Sequence, residues 1–495
     1  MSASPPLILA IDQGTTGSRA VLYDSLGRIR GSAYREFRQY FPQPGWVEHD
    51  PCEILDSVNR VVREARERAH SAPGKIAGIG ITNQRETTLL WERKSGRPVG
   101  RAIVWQDRRT AGRCEALKRR GYEALFRRKT GLLLDPYFSG TKIQWMLEAS
   151  ASLKRRALRG EILFGTVDSW ILWNLTGGRA HATDATNASR TLLLNLQKVD
   201  WDNELLKILG IPKALLPEVH PSNHPFGKTS SGGPLQSGIP IWALVGDQQA
   251  ALYGQGCYRA GEMKNTYGTG CFLMMNQGKT RRPPEKGLLE TLACDLEGKP
   301  VYALEGAVFI AGAAIQWLRD GLGFIRKAAE TERIAQRIKE TGGVTVVPAF
   351  TGLGAPYWDP HARGAILGIT RGTRREHIIR ATLESIAYQA ADVFEVMADV
   401  LGRRPPFVRV DGGAARNDFL MQLQADLLGV PVLRSDVTES TAWGAAKLAG
   451  VGCGLWKSAR AVDRFRHYRK FQPRMSPRER LEKLSGWRRA VRRLL

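Results

Sequence analysis

Residues 11–17 read Ile-Asp-Gln-Gly-Thr-Thr-Gly and lie between two apolar-rich runs, Leu7–Ile11 and Ser18–Tyr23. Apolar runs on either side of a short polar turn predict a β-hairpin. Backbone N–H groups and hydroxyls in a turn rich in glycine and threonine can surround phosphate oxygens, and Arg19, just beyond the turn, supplies a positive charge. An ordinary hairpin turn has the same features, so this stretch alone leaves both interpretations open.

The second half of the chain contains a turn of the same kind. Residues 267–270 read Tyr-Gly-Thr-Gly, between the runs Met263–Thr266 and Cys271–Met275. Two such turns, one in each half, would grip a polyphosphate from both sides, and the pair is more specific than either turn alone. The repeat predicts an α/β protein with two domains, residues 1–255 and residues 256–495.

Periodicity elsewhere in the chain also indicates an α/β fold. Apolar residues from Ile379 to Met397 recur at steps of four and three, which predicts one long helix. The same spacing from Phe419 to Leu427 predicts a second helix, ended by Gly429. Short apolar runs predict strands at residues 76–81, 241–245, 344–347 and 407–410.

Length and composition exclude several classes of protein. A chain of 495 residues is too long for one ordinary hydrophobic core. No apolar segment is long enough to span a membrane, and the first residues lack the pattern of a secretory signal. The six cysteines are scattered and form no Cys-x-x-Cys pair, so neither a zinc site nor a disulfide framework is expected. A cytoplasmic location and no integral membrane segment are therefore expected.

The net charge of +25 is unusual and has two interpretations. In the first interpretation, the charge attracts nucleic acid or a membrane surface. In the second, it is a background charge that helps to attract anionic substrates. The second is favoured, and no nucleic-acid partner is expected, because no nucleic-acid-binding module accompanies the charge. The basic tail from Lys457 to Arg493 is either a solvated helix that closes the second domain or a partner contact.

Polar residues follow two of the predicted strands. Arg85 and Glu86 come after residues 76–81, and a donor beside an acceptor suits the neighbouring hydroxyls of a polyol. An exposed salt bridge is the alternative. Asp247 and Gln248 come after residues 241–245, and a carboxylate at a strand end can accept the proton of an attacking hydroxyl. A helix N-cap is the alternative for Asp247.

Three further positions complete this interpretation. Trp105 and Tyr137 supply aromatic rings that can wall the carbon face of a small polyol, although by residue type both are more often core residues. Residues 411–414 read Asp-Gly-Gly-Ala, and glycines there allow either a nucleotide or a neighbouring backbone to approach closely. The residues themselves thus predict a two-domain phosphotransferase.

Seven segments together resemble the FGGY carbohydrate kinases, which belong to the wider superfamily of actin-like and hexokinase-like ATPases. The segments occur in order over nearly the whole chain, at Ile11–Thr16, Thr82–Thr87, Trp105–Thr110, Tyr137–Lys142, Gly246–Ala250, Asn265–Gly270 and Gly364–Glu384. The resemblance implies an α/β fold of two actin-like, ribonuclease H-like domains with a cleft between them. It further implies that residues 1–255 bind glycerol and phosphate, and that residues 256–495 bind the nucleotide.

The resemblance also implies the reaction and the residues that carry it. Pentulose kinases of the family usually lack the segment Asn83–Thr87, so ATP-dependent phosphorylation of glycerol to sn-glycerol 3-phosphate is expected. Asp247 matches the catalytic base. The implied glycerol-binding residues are Arg85, Glu86, Trp105, Tyr137, Asp247, Gln248 and Phe272. The implied phosphate- and nucleotide-binding residues are Thr15, Thr16, Arg19, Thr269, Gly312, Gln316, Gly413 and Asn417.

Mg²⁺ is the expected cofactor, near the carboxylates of Asp12 and Asp247, and the family suggests a homo-oligomer, either a dimer or a tetramer. Three alternatives stay open on the sequence: a pentulose or pentitol kinase, an actin-like nucleotide switch with little turnover, and a basic nucleic-acid-binding protein. The segment Ser231–Gly238 lacks the cations with which some family members bind a sugar bisphosphate, so inhibition by that ligand is not expected.

Overall fold

The computed structural model describes residues 6–70, 76–284, 287–294, 299–359, 361–436, 439–464 and 466–495. These residues cluster into two compact units. The first takes those within Met1–Gly256, Thr291–Tyr302 and Glu439–Phe465, and the second takes those within Cys257–Glu290, Ala303–Thr438 and Arg466–Leu495. Two segments of the predicted second domain thus cluster with the first unit, so the division of the chain differs from two continuous halves.

Strands and helices are interspersed along the chain, as in other α/β folds. The described strands are β1 Leu7–Gln13, β2 Gly17–Tyr23, β3 Ile29–Glu36, β4 Glu48–His49, β5 Ile76–Asn83, β6 Leu89–Glu92, β7 Ala102–Ile103, β8 Ile162–Gly165, β9 Ala182–Asp184, β10 Leu194–Asn195, β11 Asp200–Trp201, β12 Glu218–His220, β13 Asn223–Lys228, β14 Pro240–Gly246, β15 Met263–Tyr267, β16 Cys271–Gly278, β17 Leu289–Leu292, β18 Tyr302–Val308, β19 Thr345–Val347, β20 Ala365–Leu367, β21 Val408–Asp411, β22 Val432–Ser435 and β23 Tyr468–Phe471. The described α-helices are α1 Pro51–Arg68, α2 Ala111–Arg119, α3 Glu123–Thr130, α4 Ser139–Glu148, α5 Ala151–Leu158, α6 Val167–Leu175, α7 Ala185–Ala188, α8 Asn203–Leu209, α9 Asp247–Gly254, α10 Gly312–Gln316, α11 Glu330–Arg337, α12 Arg375–Leu401, α13 Asp418–Leu428, α14 Ser440–Gly452, α15 Ala459–Asp463 and α16 Pro477–Arg492.

The first unit is built on a mixed sheet in the order β13-β14-β5-β1-β2-β3. The predicted hairpin forms, because β1 and β2 pair antiparallel on either side of the turn at residues 14–16. β5 pairs parallel with β1 on one side and with β14 on the other. Parallel strands need crossover connections, and the helices that supply them cover the sheet.

Helix α14 belongs to the first unit and packs against its sheet and against α9. The two helices approach so closely that only glycine fits at the crossing. A Cβ added at Gly444 would lie 1.9 Å from the carbonyl oxygen of Ala250, and one at Gly254 would lie 2.0 Å from that of Ser440. This close approach anchors α9, which begins with the predicted catalytic residue Asp247.

Trp443 on α14 fills a hole left by a glycine. Its side chain is buried, and a Cβ added at Gly27 would lie 2.6 Å from the edge of the indole ring. Tyr23 and Trp456 contact it with ring centroids 4.9 Å and 5.5 Å away. Trp443 therefore packs in the aromatic core of the first unit.

The second unit has a sheet in the order β17-β18-β16-β15-β21-β22-β23. The second predicted hairpin is confirmed, since β15 and β16 pair antiparallel, and β15 also pairs parallel with β21. The predicted long helix is α12, Arg375–Leu401, and the predicted shorter helix is α13, capped by Gly429 in a left-handed conformation.

The last part of the basic tail forms α16, which packs against the second unit through its apolar and aromatic face. Trp487 is buried and donates from its indole N–H to Asp392, 2.6 Å away. Arg488 donates to the other oxygen of the same carboxylate at 2.9 Å. Across the described residues, no helix combines the length and the apolar character needed to cross a membrane.

Candidate active site

Three parallel strands of the first unit end at the same edge of its sheet. The register pairs Gln13 of β1 with Asn83 of β5, and Asn83 with Gly246 of β14. The residues that follow each strand therefore meet at one place, as at the carboxyl ends of other parallel sheets. This arrangement brings Asp12, the pair Arg85 and Glu86, and Asp247 together.

Arg85 lies between two of the three carboxylates of this group, those of Asp247 and Glu86. Its Nε is 3.1 Å from an oxygen of Asp247 and 3.9 Å from one of Glu86. The side chains of Arg85 and Glu86 are each only 2% exposed, which rules out the exposed salt bridge considered from the sequence. Asp247 is 28% exposed, so its carboxylate is accessible from solvent.

Asp247 begins α9 but does not cap it. The N-cap is Gly246, and one oxygen of Asp247 accepts from the N–H of Gln248 at 2.6 Å. Gln248, predicted to contact the substrate, is half-buried beside it. The amide N–H of Gly246 donates to the hydroxyl of Thr186 at 2.8 Å, which fixes the backbone at this strand end.

The first hairpin turn places charged groups beside Asp247. Arg19 is the cross-strand neighbour of Asp12 and forms a 2.7 Å ion pair with Glu439. Burial, followed by the negative charge of Asp247, raises the pKa of Asp12 to about 7. Two carboxylates are thus close enough to disfavour the ionisation of one of them.

The two aromatic residues predicted to contact the polyol lie near the first turn. The indole N–H of Trp105 donates to the hydroxyl of Thr15 at 2.9 Å, and the rings of Trp105 and Tyr137 meet edge to face with centroids 5.5 Å apart. Both aromatic residues are half-buried and are not core residues. Thr16 is exposed, and its hydroxyl lies 3.4 Å from that of Tyr34.

A largely buried polar network that the sequence did not reveal supports this turn. Gln39 donates to the carbonyl oxygen of Thr15 at 3.0 Å and pairs with the ring of His49 at 2.6 Å. Gln84 contacts the other ring nitrogen of His49 at 3.3 Å. Burial lowers the pKa of His49 to about 4, so the imidazole is neutral at physiological pH.

Three more buried residues adjoin Arg85, Glu86 and Tyr137 and were also missed. Gln249 accepts from a guanidinium nitrogen of Arg85 at 3.2 Å. Lys142 donates to the carbonyl oxygen of Tyr137 at 2.8 Å, and burial lowers the pKa of its ammonium to about 7. Arg190 donates to Glu86. Gln249 and Lys142 lie inside two of the segments that carry the family resemblance, whereas Arg190 is marked only by its place before the apolar run 192–194.

In the second unit, the second hairpin turn is tied to the start of α10. The carbonyl oxygen of Thr269 accepts from Ala311 at 2.8 Å, and that of Gly268 accepts from Gly312 at 3.0 Å. A Cβ at Gly312 would lie 2.5 Å from the carbonyl oxygen of Gly268, so no larger residue fits. The side chain of Thr269 is exposed.

Another glycine turn of the second unit lies beside this one, because Thr266 and Asp411 are partners in the parallel pair β15 and β21. Gly412 packs against Tyr267, while Gly413 is exposed with open space where a Cβ would stand.

The other predicted residues of the second unit have more ordinary surroundings. Asn417 caps α13 by accepting from Leu420 at 2.9 Å. Gln316 is exposed at the end of α10. Phe272 is half-buried on β16, and its carbonyl oxygen accepts from Lys264 at 3.1 Å.

The geometry also bears on a divalent cation. The side chain of Asp12 makes no hydrogen bond within the described part of the chain, and it shares its surroundings with the carboxylate of Asp247. Mg²⁺ commonly binds to one or two carboxylates and completes its shell with waters and phosphate oxygens. These two side chains fit such an ion.

Comparisons with known proteins agree with this geometry. A model of the N-terminal domain of the FGGY family of carbohydrate kinases matches residues 7–254, and one of the C-terminal domain matches residues 263–453. Glycerol kinase 2 of Thermotoga maritima is 54% identical over 489 residues, 99% of this chain and 98% of that protein. Glycerol kinase of Alkalilimnicola ehrlichii is 57% identical over 486 residues, 98% of each chain.

A solved structure is also similar over almost the full length. The crystal structure of Plasmodium falciparum glycerol kinase with ADP has a TM-score of 0.94 and 35% identity, with 99% of this chain and 98% of that chain covered. Full-length similarity of sequence and of fold leads to one conclusion: the chain belongs to the FGGY family of carbohydrate kinases.

Proposed function

We propose that this protein is an ATP-dependent kinase that phosphorylates glycerol to sn-glycerol 3-phosphate. The observation that carries the proposal is the group at the strand ends, where Arg85 lies between Asp247 and Glu86. A buried guanidinium that donates, beside a carboxylate that accepts, matches the alternating hydroxyls of a polyol. The relatives named glycerol kinase support glycerol as that polyol, since each covers nearly the whole chain.

In the proposed reaction, Asp247 accepts the proton of a terminal glycerol hydroxyl. The hydroxyl oxygen then forms a bond to the γ-phosphorus of ATP, while the bond from that phosphorus to its bridging oxygen breaks and ADP leaves. Arg85 serves two purposes here. It orients the acceptor, and its Nε, 3.1 Å from a carboxylate oxygen of Asp247, holds this carboxylate in position.

Several groups are proposed to stabilise the transferring phosphoryl group. The turn at residues 14–16 offers backbone N–H groups and hydroxyls, and Arg19 supplies a positive charge just beyond the turn. Asp12 and Asp247 would hold Mg²⁺, which supplies charge neutralisation for the phosphate oxygens when bound. Trp105 and Tyr137 would cover the carbon face of glycerol and exclude water.

We further propose that the first unit binds glycerol and phosphate and that the second binds the nucleotide. The turn at residues 267–270, its contact with Gly312, and the exposed Gly413 support the second role. Thr269, Gln316 and Asn417 are proposed to line the nucleotide, and Phe272 to contact the acceptor. A cytoplasmic enzyme that works as a homo-oligomer is expected, and light scattering of the purified protein would give the number of subunits.

A panel of acceptors tests the proposed function. ADP release is measured with purified protein and Mg·ATP, without an acceptor and with glycerol, erythritol, xylulose or ribulose. Large stimulation by glycerol alone is the expected result. Stimulation by a pentulose instead would mean that Arg85 and Glu86 bind a sugar, and ATP hydrolysis unaffected by every acceptor would favour a nucleotide switch.

A further inference from the structure

Arg190 is a completely buried arginine that contacts two of the proposed glycerol-binding residues. Its exposed fraction is 0%, and it is among the largest fully buried side chains of the described chain. Its Nε donates to a carboxylate oxygen of Glu86 at 2.5 Å. Its guanidinium carbon lies 5.5 Å from the ring centre of Tyr137 and 5.2 Å from that of Phe138. A buried charge is costly unless it is paired, so these contacts define its position.

The segment that carries Arg190 is fixed to the same strand end as Glu86. Arg190 follows α7, and its N–H donates to the carbonyl oxygen of Asn187 at 3.0 Å. The side chains of Asn187 and Asn83 bond reciprocally at 3.0 Å and 3.1 Å. Asn83 is the last residue of β5, which leads directly to Arg85 and Glu86. The guanidinium of Arg190 therefore approaches Glu86 from a rigid support.

Glu86 itself is held in an unusual backbone conformation. Its φ is +61°, in the left-handed region that residues other than glycine rarely adopt. The hydroxyls of Thr88 and Ser139 donate to its carbonyl oxygen at 3.0 Å and 2.9 Å, which compensates for that strain. This fixed backbone holds the carboxylate of Glu86 in one position, between the guanidinium groups of Arg85 and Arg190.

The two arginines compete for the same oxygen of Glu86. Arg190 Nε is 2.5 Å from Oε1, whereas Arg85 Nε is 3.9 Å from it and 3.1 Å from Asp247. Without Arg190, the carboxylate would be drawn towards Arg85, and Arg85 would be drawn away from Asp247. Arg190 thus keeps the guanidinium of Arg85 and the carboxylate of Glu86 apart in the proposed glycerol site.

We propose that Arg190 is a positioning residue that sets the affinity for the polyol acceptor by holding the carboxylate of Glu86 and the ring of Tyr137. The inference rests on the proposed function, because it names Glu86 and Tyr137 as acceptor-binding groups. Its effect passes through other residues and not through contact with the transferring phosphoryl group. We therefore expect the loss of Arg190 to change KM for the acceptor without a matching change in KM for ATP.

A double-mutant cycle between Arg190 and Glu86 tests the proposal. Arg190→Met removes the charge and keeps an unbranched side chain, and Glu86→Gln removes the paired carboxylate. We expect Arg190→Met to raise KM for glycerol roughly 10- to 100-fold, the loss typical of groups that orient metal ligands, with KM for ATP little changed. In the Glu86→Gln background, the same substitution should add only about twofold, because its partner is already gone.

Two further variants keep the test decisive if Arg190→Met does not fold. Arg190→Lys retains the charge without the planar guanidinium and should recover part of the affinity for glycerol. The double variant Arg190→Met/Glu86→Gln buries no unpaired charge and should fold. Arg380→Met is the matched control, because Arg380 also pairs with a glutamate, Glu384 at 2.8 Å, and also lies over a phenylalanine ring. It should leave KM for glycerol unchanged.

Equal increases in KM for glycerol and for ATP would overturn the proposal, as would full additivity with Glu86→Gln. Either result would make Arg190 a purely structural residue. The wild-type protein separates this failure from that of the proposed function. If wild type phosphorylates glycerol and Arg190→Met binds glycerol normally, only the role of Arg190 is wrong. If wild type does not phosphorylate glycerol, the proposed function fails first.

Discussion

The two hairpin turns of this protein have the same local architecture and different chemistry. In each unit a strand pairs antiparallel with the strand after the turn and parallel with a later strand, β1 with β2 and β5, and β15 with β16 and β21. The first turn is surrounded by charged side chains, among them Asp12 and Arg19. The second turn is held by backbone hydrogen bonds from the start of α10.

This difference agrees with the two roles proposed for the turns. Side-chain charges suit the transfer of a proton and a phosphoryl group, which need groups at defined positions. A backbone cradle with glycines suits a nucleotide, because main-chain atoms can approach closely and their N–H groups bind phosphate oxygens. We therefore expect the first turn to be sensitive to substitutions that change a side-chain charge. We expect the second turn to be sensitive to substitutions that add volume close to the backbone.

The largest effect is expected for the carboxylate beside the first turn. Asp247→Asn keeps the shape of the side chain but cannot accept the hydroxyl proton, so kcat should fall by about 10²- to 10⁴-fold. The fold should survive, since the side chain is partly exposed. Steady-state kinetics with glycerol measures the loss, and Asp320→Asn, an exposed carboxylate in the second unit, is the control. Near-normal kcat in folded Asp247→Asn protein would show that Asp247 is not the catalytic base.

The glycine turn at residues 411–414, which packs against Tyr267 of the second turn, should be sensitive to added volume at one glycine and not at its neighbour. Gly412 has φ of +90°, and a Cβ there would lie 2.4 Å from the carbonyl oxygen of Tyr267. Gly412→Ala should therefore lower stability by about 3 kcal/mol. Gly413→Ala, with nothing within 4 Å of the new carbon, should not. The melting temperatures of both variants test this prediction. Equal melting temperatures would mean that the close approach of the backbone at Gly412 does not limit which residue fits there.

An effect of similar size, confined to acidic pH, is expected from the buried histidine below the first turn. Burial holds the pKa of His49 at about 4, below its ordinary value of 6.5. Between these values the unfolded chain binds a proton that the folded chain does not, so stability falls as pH falls from about 6.5 to about 4. The largest contribution is about 3 kcal/mol, because each unit of pKa is worth about 1.4 kcal/mol.

His49→Gln should flatten this pH dependence, as measured by the melting temperature at pH 7 and at pH 4.5. His181, whose pKa burial also lowers to about 4, should keep part of the slope in the variant. The exposed His467 provides the control substitution, His467→Gln, with an unchanged slope. A slope that is the same in wild type and in His49→Gln would mean that the imidazole is not buried in its neutral form.

The smallest effects are expected for Thr15 in the first turn and Thr269 in the second. Thr15→Val removes the acceptor of the Trp105 indole hydrogen bond, which should weaken glycerol binding by about 1 kcal/mol, roughly fivefold in KM. Thr269→Val, in the second turn, should change KM for ATP and leave KM for glycerol unchanged. Initial rates with each substrate varied give both constants. If both valine variants raise both constants equally, the two turns do not differ as described.

Local patterns predicted the elements of the fold well. The hairpins and α12 depend on near neighbours in sequence, so alternation and helical spacing were sufficient to identify them. The placement of Trp443 depends on Gly27, which is remote in sequence, and no periodicity reveals such a hole. The clustering of the described residues within 291–302 and 439–465 with the first unit is likewise a long-range property.

The candidate site was predictable where residues follow strands directly. Arg85, Glu86 and Asp247 come after β5 and β14, and parallel pairing brings them together. Arg190 follows a four-residue helix and reaches Glu86 only through the tertiary fold. Charged residues are usually exposed, so sequence alone gives no reason to expect a buried one at this position.

Phosphorus NMR of the reaction product tests the central claim most directly. The protein is incubated with Mg·ATP and glycerol, and the fate of the γ-phosphoryl group is followed. We predict that its signal disappears while that of glycerol 3-phosphate grows in equal amount, with no inorganic phosphate. Appearance of inorganic phosphate alone, or no change beyond that seen without glycerol, would contradict the assignment of this chain as a glycerol kinase.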